Sequence, residues 1–213
     1  MYIPLNLQYR EGNIQRCSLA RKCHAYDLKQ HSHGVLSILL DIIDILGEQE
    51  LTSAQIKQIL HHDVLEIFTG DLPYVIKNMS DMTKRSWDTI EAEVTKEVVR
   101  QYPSLYSYTD EAIKSSLTES QFRLFKLADM LDLLIYTEEE LRLGNQMGEL
   151  GVIHRNAREV SAVLIGEASK WFPGCETKIC EYVSSSGLVD YTEFLNEIQS
   201  RKSEREGCIL EIS

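Results

Sequence analysis

The chain has 213 residues, 43% of them apolar and 26% charged, which is enough to bury a core within one globular domain covering 1–213. Its net charge of −11, from 33 acidic and 22 basic residues, repels nucleic-acid backbones, and no basic run compensates, so no nucleic-acid polymer is expected as a partner. The longest apolar run, Val35 to Leu40, meets Asp41 at once and is too short to cross a membrane. The N-terminal stretch also lacks a charged-then-apolar signal pattern, so a cytoplasmic location is expected.

Helical periodicity dominates from the first third onward. His31 to Leu46 carries Val35, Leu36, Leu39, Leu40, Ile43 and Leu46 at three- and four-residue spacing, and Gly47 stops it. Thr52-Ser53-Ala54-Gln55 is a capping box, so a second helix is expected from there to about Phe68, with Gly70 as its C-terminal cap. A third is expected over about Ser80 to Tyr102, with Trp87, Ile90, Val94 and Val98 on its buried stripe and Pro103 ending it. Thr118-Glu119-Ser120-Gln121 repeats the capping box and opens a long helix to about Leu143, closed by Gly144. Helices over about 152–171 and 189–202 complete the set, and the tail from Lys202 is expected to be loosely ordered. No window alternates with period two, so the expected fold is an all-α orthogonal bundle. The five cysteines (Cys17, Cys23, Cys175, Cys180, Cys208) form no CxxC pair and read as free thiols.

Within this helical frame, His62-Asp63 and Glu66 stand one turn apart on the second expected helix. His62 and Asp63 are adjacent, about 100° apart around the axis, so both can lean toward one point beyond it. His31 and an acid of the Lys126-Leu127-Ala128-Asp129-Met130-Leu131 stretch supply further ligand types. A mixed histidine and carboxylate set suits a divalent ion, which can neutralise phosphoryl oxygens and activate a water. Each residue also has an ordinary reading. A lone helical histidine is usually a surface or satisfied core residue, and an acid is usually a solvated charge. Asp129 is the exception, because a carboxylate among Leu127, Met130 and Leu131 is costly unless paired or metal-bound. Asp132 competes with it, and spacing alone leaves both open. His33 faces roughly 200° away from His31; His61 reads as structural, and His24 and His154 have no supporting context.

The ordered series Arg16-Cys17, His31-Ser32, His62-Asp63, Glu66, Gly70-Asp71-Leu72-Pro73, Ala128-Asp129 and Gly144-Asn145 resembles the YfbR-type 5'-deoxynucleotidase branch of the HD-domain metal-dependent phosphohydrolases. The likeness covers about residues 16–145. It implies an HD-type bundle holding one divalent ion (Co, Mn, Zn, Fe or Mg) on His31, His62, Asp63 and Asp129. It implies catalytic roles for Glu66 and Asp71, and phosphate contacts from Arg16, Lys77 and Lys126. The implied reaction is hydrolysis of deoxynucleoside 5'-monophosphates to nucleoside and phosphate, by a homodimer or larger homo-oligomer. Two departures stand out. Cys17 replaces a family tryptophan associated with the sugar and with rejecting a 2'-hydroxyl, so sugar and base preference is expected to change there. Gln30 replaces a glutamate before the first ligand histidine. The competing readings are a triphosphohydrolase or pyrophosphohydrolase acting on deoxynucleoside triphosphates, and a degenerate HD domain that binds nucleotides without turnover.

Overall fold

The structure is a computed structural model describing residues 2–18, 20–71, 79–145 and 148–210, with side chains to residue 201. It is all-helical: among the described residues the only β pairing is an isolated bridge between Gln15 and Asp27. Among the described residues ten α-helices follow in order: α1 (Leu5–Glu11), α2 (Leu28–Leu46), α3 (Ser53–Leu60), α4 (Glu66–Thr69), α5 (Asp81–Gln101), α6 (Asp110–Ser116), α7 (Glu119–Arg142), α8 (Gly148–Ala168), α9 (Cys175–Ser184) and α10 (Tyr191–Leu210). A 3-10 segment, Pro103–Tyr108, separates α5 from α6.

The capping chemistry sets the helix starts. Thr52 and Thr118 each accept from the backbone N–H three residues on, while Gln55 and Gln121 reach back. A third capping box, Asp27 with Gln30, begins α2 three residues earlier than the apolar period indicates. Gly47, Gly70 and Gly144 all take positive φ at helix ends, as expected of stop signals.

Several elements depart from expectation. The helix expected from Thr52 to Phe68 is two helices with a turn over 61–65 between them. Ile59 packs into the main core whereas Val64 and Ile67 pack into a second cluster, so the chain must change direction between them. The expected stripe of α5 is only partly covered: Val98 is buried and Val94 packs on the smaller cluster, but Ile90 is 48% exposed. This helix packs on the 3-10 segment and α4, and its remaining face lines a cleft. Lastly, α1, α6 and α9 were not anticipated, and α10 continues to Leu210 through the tail expected to be loose.

Two apolar clusters result. The larger joins α2, α3 and α6 to α10 around α7, whose Leu124, Phe125, Leu127, Ala128, Leu131 and Leu134 are all fully buried. The smaller gathers Ile3, Leu7, Val64, Ile67, Val98, Leu105 and Tyr108 from α1, the 61–69 segment, α5 and the 3-10 turn. No helix among the described residues is long and apolar enough to cross a membrane. Cys17, Cys23, Cys175 and Cys180 are free thiols, as read; the side chain of Cys208 lies outside the described residues.

Candidate metal centre and its cleft

His31, His62 and Asp63 each offer one ligand atom, all within 4.8 Å of one another. His31 comes from the first turns of α2, and its ring lies 5.2 Å from that of His62. His62 and Asp63 sit in the turn between α3 and α4, not mid-helix as their spacing implied. Asp129 arrives from α7 and places Oδ1 3.1 Å from His31 Nε2, while Asp63 Oδ2 lies 3.5 Å from the same nitrogen and its Oδ1 3.4 Å from His62 Nε2.

The tautomers follow from what the far ring nitrogens touch. His62 Nδ1 donates to the Ile59 carbonyl at 2.9 Å, and His31 Nδ1 lies 2.8 Å from Asp132 Oδ2. Both Nε2 atoms are buried, without a hydrogen-bond partner, and turned to the two carboxylates. Buried nitrogens left unsatisfied beside clustered carboxylates are the donor set a divalent cation requires, so these residues fit a metal ion. Asp129 and Asp132, which spacing could not separate, lie on opposite nitrogens of His31; Asp129 is on the Nε2 side.

Arg16 is the cation of this centre. The 14–28 loop that carries it is closed by Arg16 N–H to the Tyr26 carbonyl at 2.7 Å and Leu28 N–H to the Ile14 carbonyl at 3.1 Å. Its Nη1 is 2.5 Å from Asp63 Oδ2 and 3.8 Å from Glu66 Oε2. Burial opposes the charge of Asp63, yet His62, Arg16 and His31 outweigh it and hold the carboxyl below its ordinary range. Asp129 is depressed likewise, with burial overcome by the close approach and charge of His31. Glu66 is pushed the other way, first by burial and then by Asp63, and its Oε2 has no hydrogen-bond partner. Asp71 is also raised, chiefly by burial; its Oδ2 accepts the Cys17 N–H at 3.0 Å. Burial lowers the His62 pKa, which favours the neutral form in which imidazole binds metals.

A cleft of about 800 Å³ opens on this cluster and is lined by His62, Asp63, Glu66, Arg16, Lys126 and Asp129 at the centre, then by α5 and the 3-10 turn. Lys126, one turn before Asp129, lies 5.0 Å over the Phe125 ring with Nζ 3.7 Å from Asp110. Burial works against its charge, but Asp129, Asp110 and Asp63 prevail and raise its pKa.

Of the residues singled out from the sequence, the structure thus brings together His31, His62, Asp63, Asp129, Glu66, Arg16 and Lys126. Asp71 stands behind Arg16 and does not line the cleft. Lys77, with Leu72 and Pro73, lies outside the described residues. Cys17 was expected at the sugar or base; its thiol is instead 8% exposed in the main core, its pKa pushed up to about 11 by burial, and it does not line the cleft. His61 is structural as read, facing the buried Glu11 at 3.0 Å.

Two groups whose roles sequence reasoning did not anticipate are prominent; Asp132 was weighed there only as a competing ligand. Asp132 and Tyr26 sit behind His31. Glu140, fully buried, accepts the Cys23 and His24 N–H groups and the Asn145 side-chain amide, fastening the end of α7 to the loop that bears Arg16. Asp132, flanked by Leu131 and Leu133, carried the same signal as Asp129, an acid among apolar residues. Glu140, in a run of three glutamates, carried none.

The pattern of the 5'-deoxynucleotidase YfbR-like family matches residues 7–160, most of the chain. The chain belongs to that family. It is therefore a metal-dependent phosphohydrolase acting on nucleotide phosphomonoesters. Among similar proteins, the 5'-deoxynucleotidase yfbR of Photorhabdus temperata is 27% identical over 138 residues, covering 62% of this chain and 70% of that protein. A 5'-deoxynucleotidase of Vibrio vulnificus (strain YJ016) is 23% identical over 62% of this chain and 71% of its own length. For the fold, an HD-domain phosphohydrolase from Listeria innocua superposes with a TM-score of 0.67 at 20% identity, covering 92% of this chain and 96% of the other. The PH0347 protein of Pyrococcus horikoshii OT3 gives 0.61 at 22% identity, over 86% and 96%. The all-α HD bundle expected from the sequence is the fold observed.

Proposed function

We propose that the chain is a 5'-nucleotidase that hydrolyses deoxynucleoside 5'-monophosphates to deoxynucleoside and orthophosphate. The observation that carries this reading is the pair of buried, unpartnered histidine Nε2 atoms set against Asp63 and Asp129 at the floor of the cleft. His31, His62, Asp63 and Asp129 would hold one divalent ion of the Co, Mn, Zn, Fe or Mg group. Such an ion withdraws charge from phosphoryl oxygens and makes water a better nucleophile near neutral pH. Arg16 and Lys126 both line the cleft, which supports assigning them to the phosphoryl oxygens, Arg16 as a planar fork and Lys126 as a point charge.

Glu66 is assigned to the proton of the attacking water. Its carboxylate faces the cleft next to Asp63, and its raised pKa matches a group that takes and returns a proton. Asp71 is assigned to the departing 5'-oxygen by family position alone, since it does not line the cleft and its Oδ2 accepts the Cys17 N–H. Lys77 remains a further phosphate contact by family position. The Cys17 thiol is assigned no direct sugar contact; its influence on sugar preference would run through the backbone that positions Arg16 and Asp71. The protein is expected to act as a homodimer or larger assembly in the cytoplasm.

Purified protein supplied in turn with Co, Mn, Zn and Mg and given a panel of mono- and triphosphates tests this reading. Orthophosphate from deoxynucleoside monophosphates is the expected product; tripolyphosphate or pyrophosphate from dATP favours the triphosphohydrolase instead, and tight binding without turnover favours a nucleotide sensor. Glu66→Ala is expected to lower kcat by about 10²–10⁴-fold while metal content is retained. A fully active variant removes Glu66 from the mechanism.

A further inference from the structure

Behind His31, on the side away from the cleft, three groups meet on one atom. Asp132 Oδ2 lies 2.8 Å from His31 Nδ1 and 2.6 Å from the Tyr26 hydroxyl, and that hydroxyl is itself 3.0 Å from Nδ1. The hydroxyl donates to Asp132. Nδ1 then acts as a donor to that carboxylate as well, because a bare lone pair there would face its oxygen, whereas Nε2 forms no hydrogen bond with Asp129 or Asp63 and is left for a cation. His31 is fully buried and Tyr26 is buried, with Tyr136 stacked on the Tyr26 ring at 3.9 Å, so neither ring can swing away without unpacking the core.

The approach of Asp132 depends on one glycine. Gly34 lies on α2 three residues after His31, on the adjoining turn. A Cβ at that position would overlap Asp132 Oδ1 and stand 2.9 Å from its Cγ. Asp132 has a short side chain, and moving it aside would break the contacts to His31 and Tyr26 together. Alanine is otherwise the better helix former, so glycine inside α2 is explained by the space it leaves.

We propose that Asp132 is a positioning residue which, with Tyr26 and through the gap at Gly34, holds His31 as the Nδ1–H tautomer and so presents Nε2 to the metal centre. The inference rests on the metal-centre reading above and deepens it: α7 supplies both Asp129, on the metal side of His31, and Asp132, on the opposite side. A carboxylate behind a ligating imidazole fixes the ring and raises its basicity, and removing such a partner ordinarily weakens metal binding by about 10–100-fold. Asp132 touches neither substrate nor metal, so its loss acts on metal affinity first.

Calorimetric titration with Co²⁺ tests this on the full chain as wild type, Asp132→Asn, Tyr26→Phe, Gly34→Ala and the double variant Gly34→Ala with Asp132→Asn, each checked for cooperative unfolding by circular dichroism. Asp132→Asn and Gly34→Ala are each expected to weaken Co²⁺ binding about 10–100-fold. Tyr26→Phe should cost less than either, and the double variant should be no weaker than Asp132→Asn alone, since both changes remove one interaction. Affinity within twofold of wild type in folded Asp132→Asn overturns the proposal, as does full additivity in the double variant. A second measurement needs no variant: in the Zn²⁺-loaded wild type, long-range ¹H–¹⁵N spectra should show the His31 proton on Nδ1, and a proton on Nε2 overturns the proposal. Wild-type protein that binds no divalent ion overturns the metal-centre reading and this inference together, whereas unaltered binding in the variants overturns this inference alone.

Discussion

The two helices that face each other across the cleft are built differently. α7 is buried along most of its length, with Leu124, Phe125, Leu127, Ala128, Leu131 and Leu134 inaccessible to solvent, and it delivers Asp129 and Lys126 to the centre and Asp132 behind it. α5 has nearly the same length but buries only Val98 among its residues, leaving Met82 and Ile90 exposed. One wall of the site is thus continuous with the main core, and the other rests on a small satellite cluster. His62, Asp63 and Glu66 come from the turn where the chain passes between the two clusters. The contrast implies that His31 and Asp129 stand on helices anchored in the main core, whereas the α5 wall has little packing behind it.

This asymmetry predicts a ranking of mutational effects. Asp129→Ala removes a carboxylate from the rigid wall and should cost at least about 10³-fold in kcat/KM, on the order of 4 kcal/mol, with the protein still folded; assay of the metal-supplemented variant checks it. Leu124→Ala, in the same helix, should lower stability by about 2–5 kcal/mol in urea unfolding. Glu140→Gln should cost roughly 2–3 kcal/mol, because an amide nitrogen would face donors that now share a buried carboxylate.

That last loss depends on pH. Burial opposes ionisation of Glu140, but the N–H of Cys23, the Asn145 amide and the N–H of His24 outweigh it and hold its pKa below the ordinary 4.5. Its stabilisation is therefore complete above that pH and is lost as the pH falls through the lower folded value. Unfolding curves of wild type and Glu140→Gln should converge in acid and be farthest apart near neutrality. The smallest effect is expected on the other wall: Ile90→Ala should change stability by no more than about 0.5 kcal/mol, as for a surface position. A loss comparable to that of Leu124→Ala would show that α5 is as firmly packed as α7.

The same contrast explains what could be read in the sequence. The apolar period of α2 and the capping box at Thr118 are local signals, and they placed the helices that carry His31 and Asp129. The break after Leu60 was not legible, because it arises from two clusters pulling Ile59 and Val64 in different directions, a tertiary effect that no local pattern records. The apolar spacing of Trp87, Ile90 and Val94 was real, but period alone cannot say whether a neighbour covers the stripe. For the site, residue types and order sufficed to nominate the ligands. The Tyr26–His31–Asp132 group and the Glu140 clamp join residues about a hundred positions apart, and only the fold brings them together.

Orthophosphate release from dAMP by the purified protein with Co²⁺, compared with the same protein stripped by a chelator and with Asp129→Ala, tests the central claim most directly. Steady release that disappears on chelation, returns with Co²⁺ and is absent in the variant is the predicted result. Release that is indifferent to the metal, or no release from dAMP alongside tripolyphosphate from dATP, would contradict it.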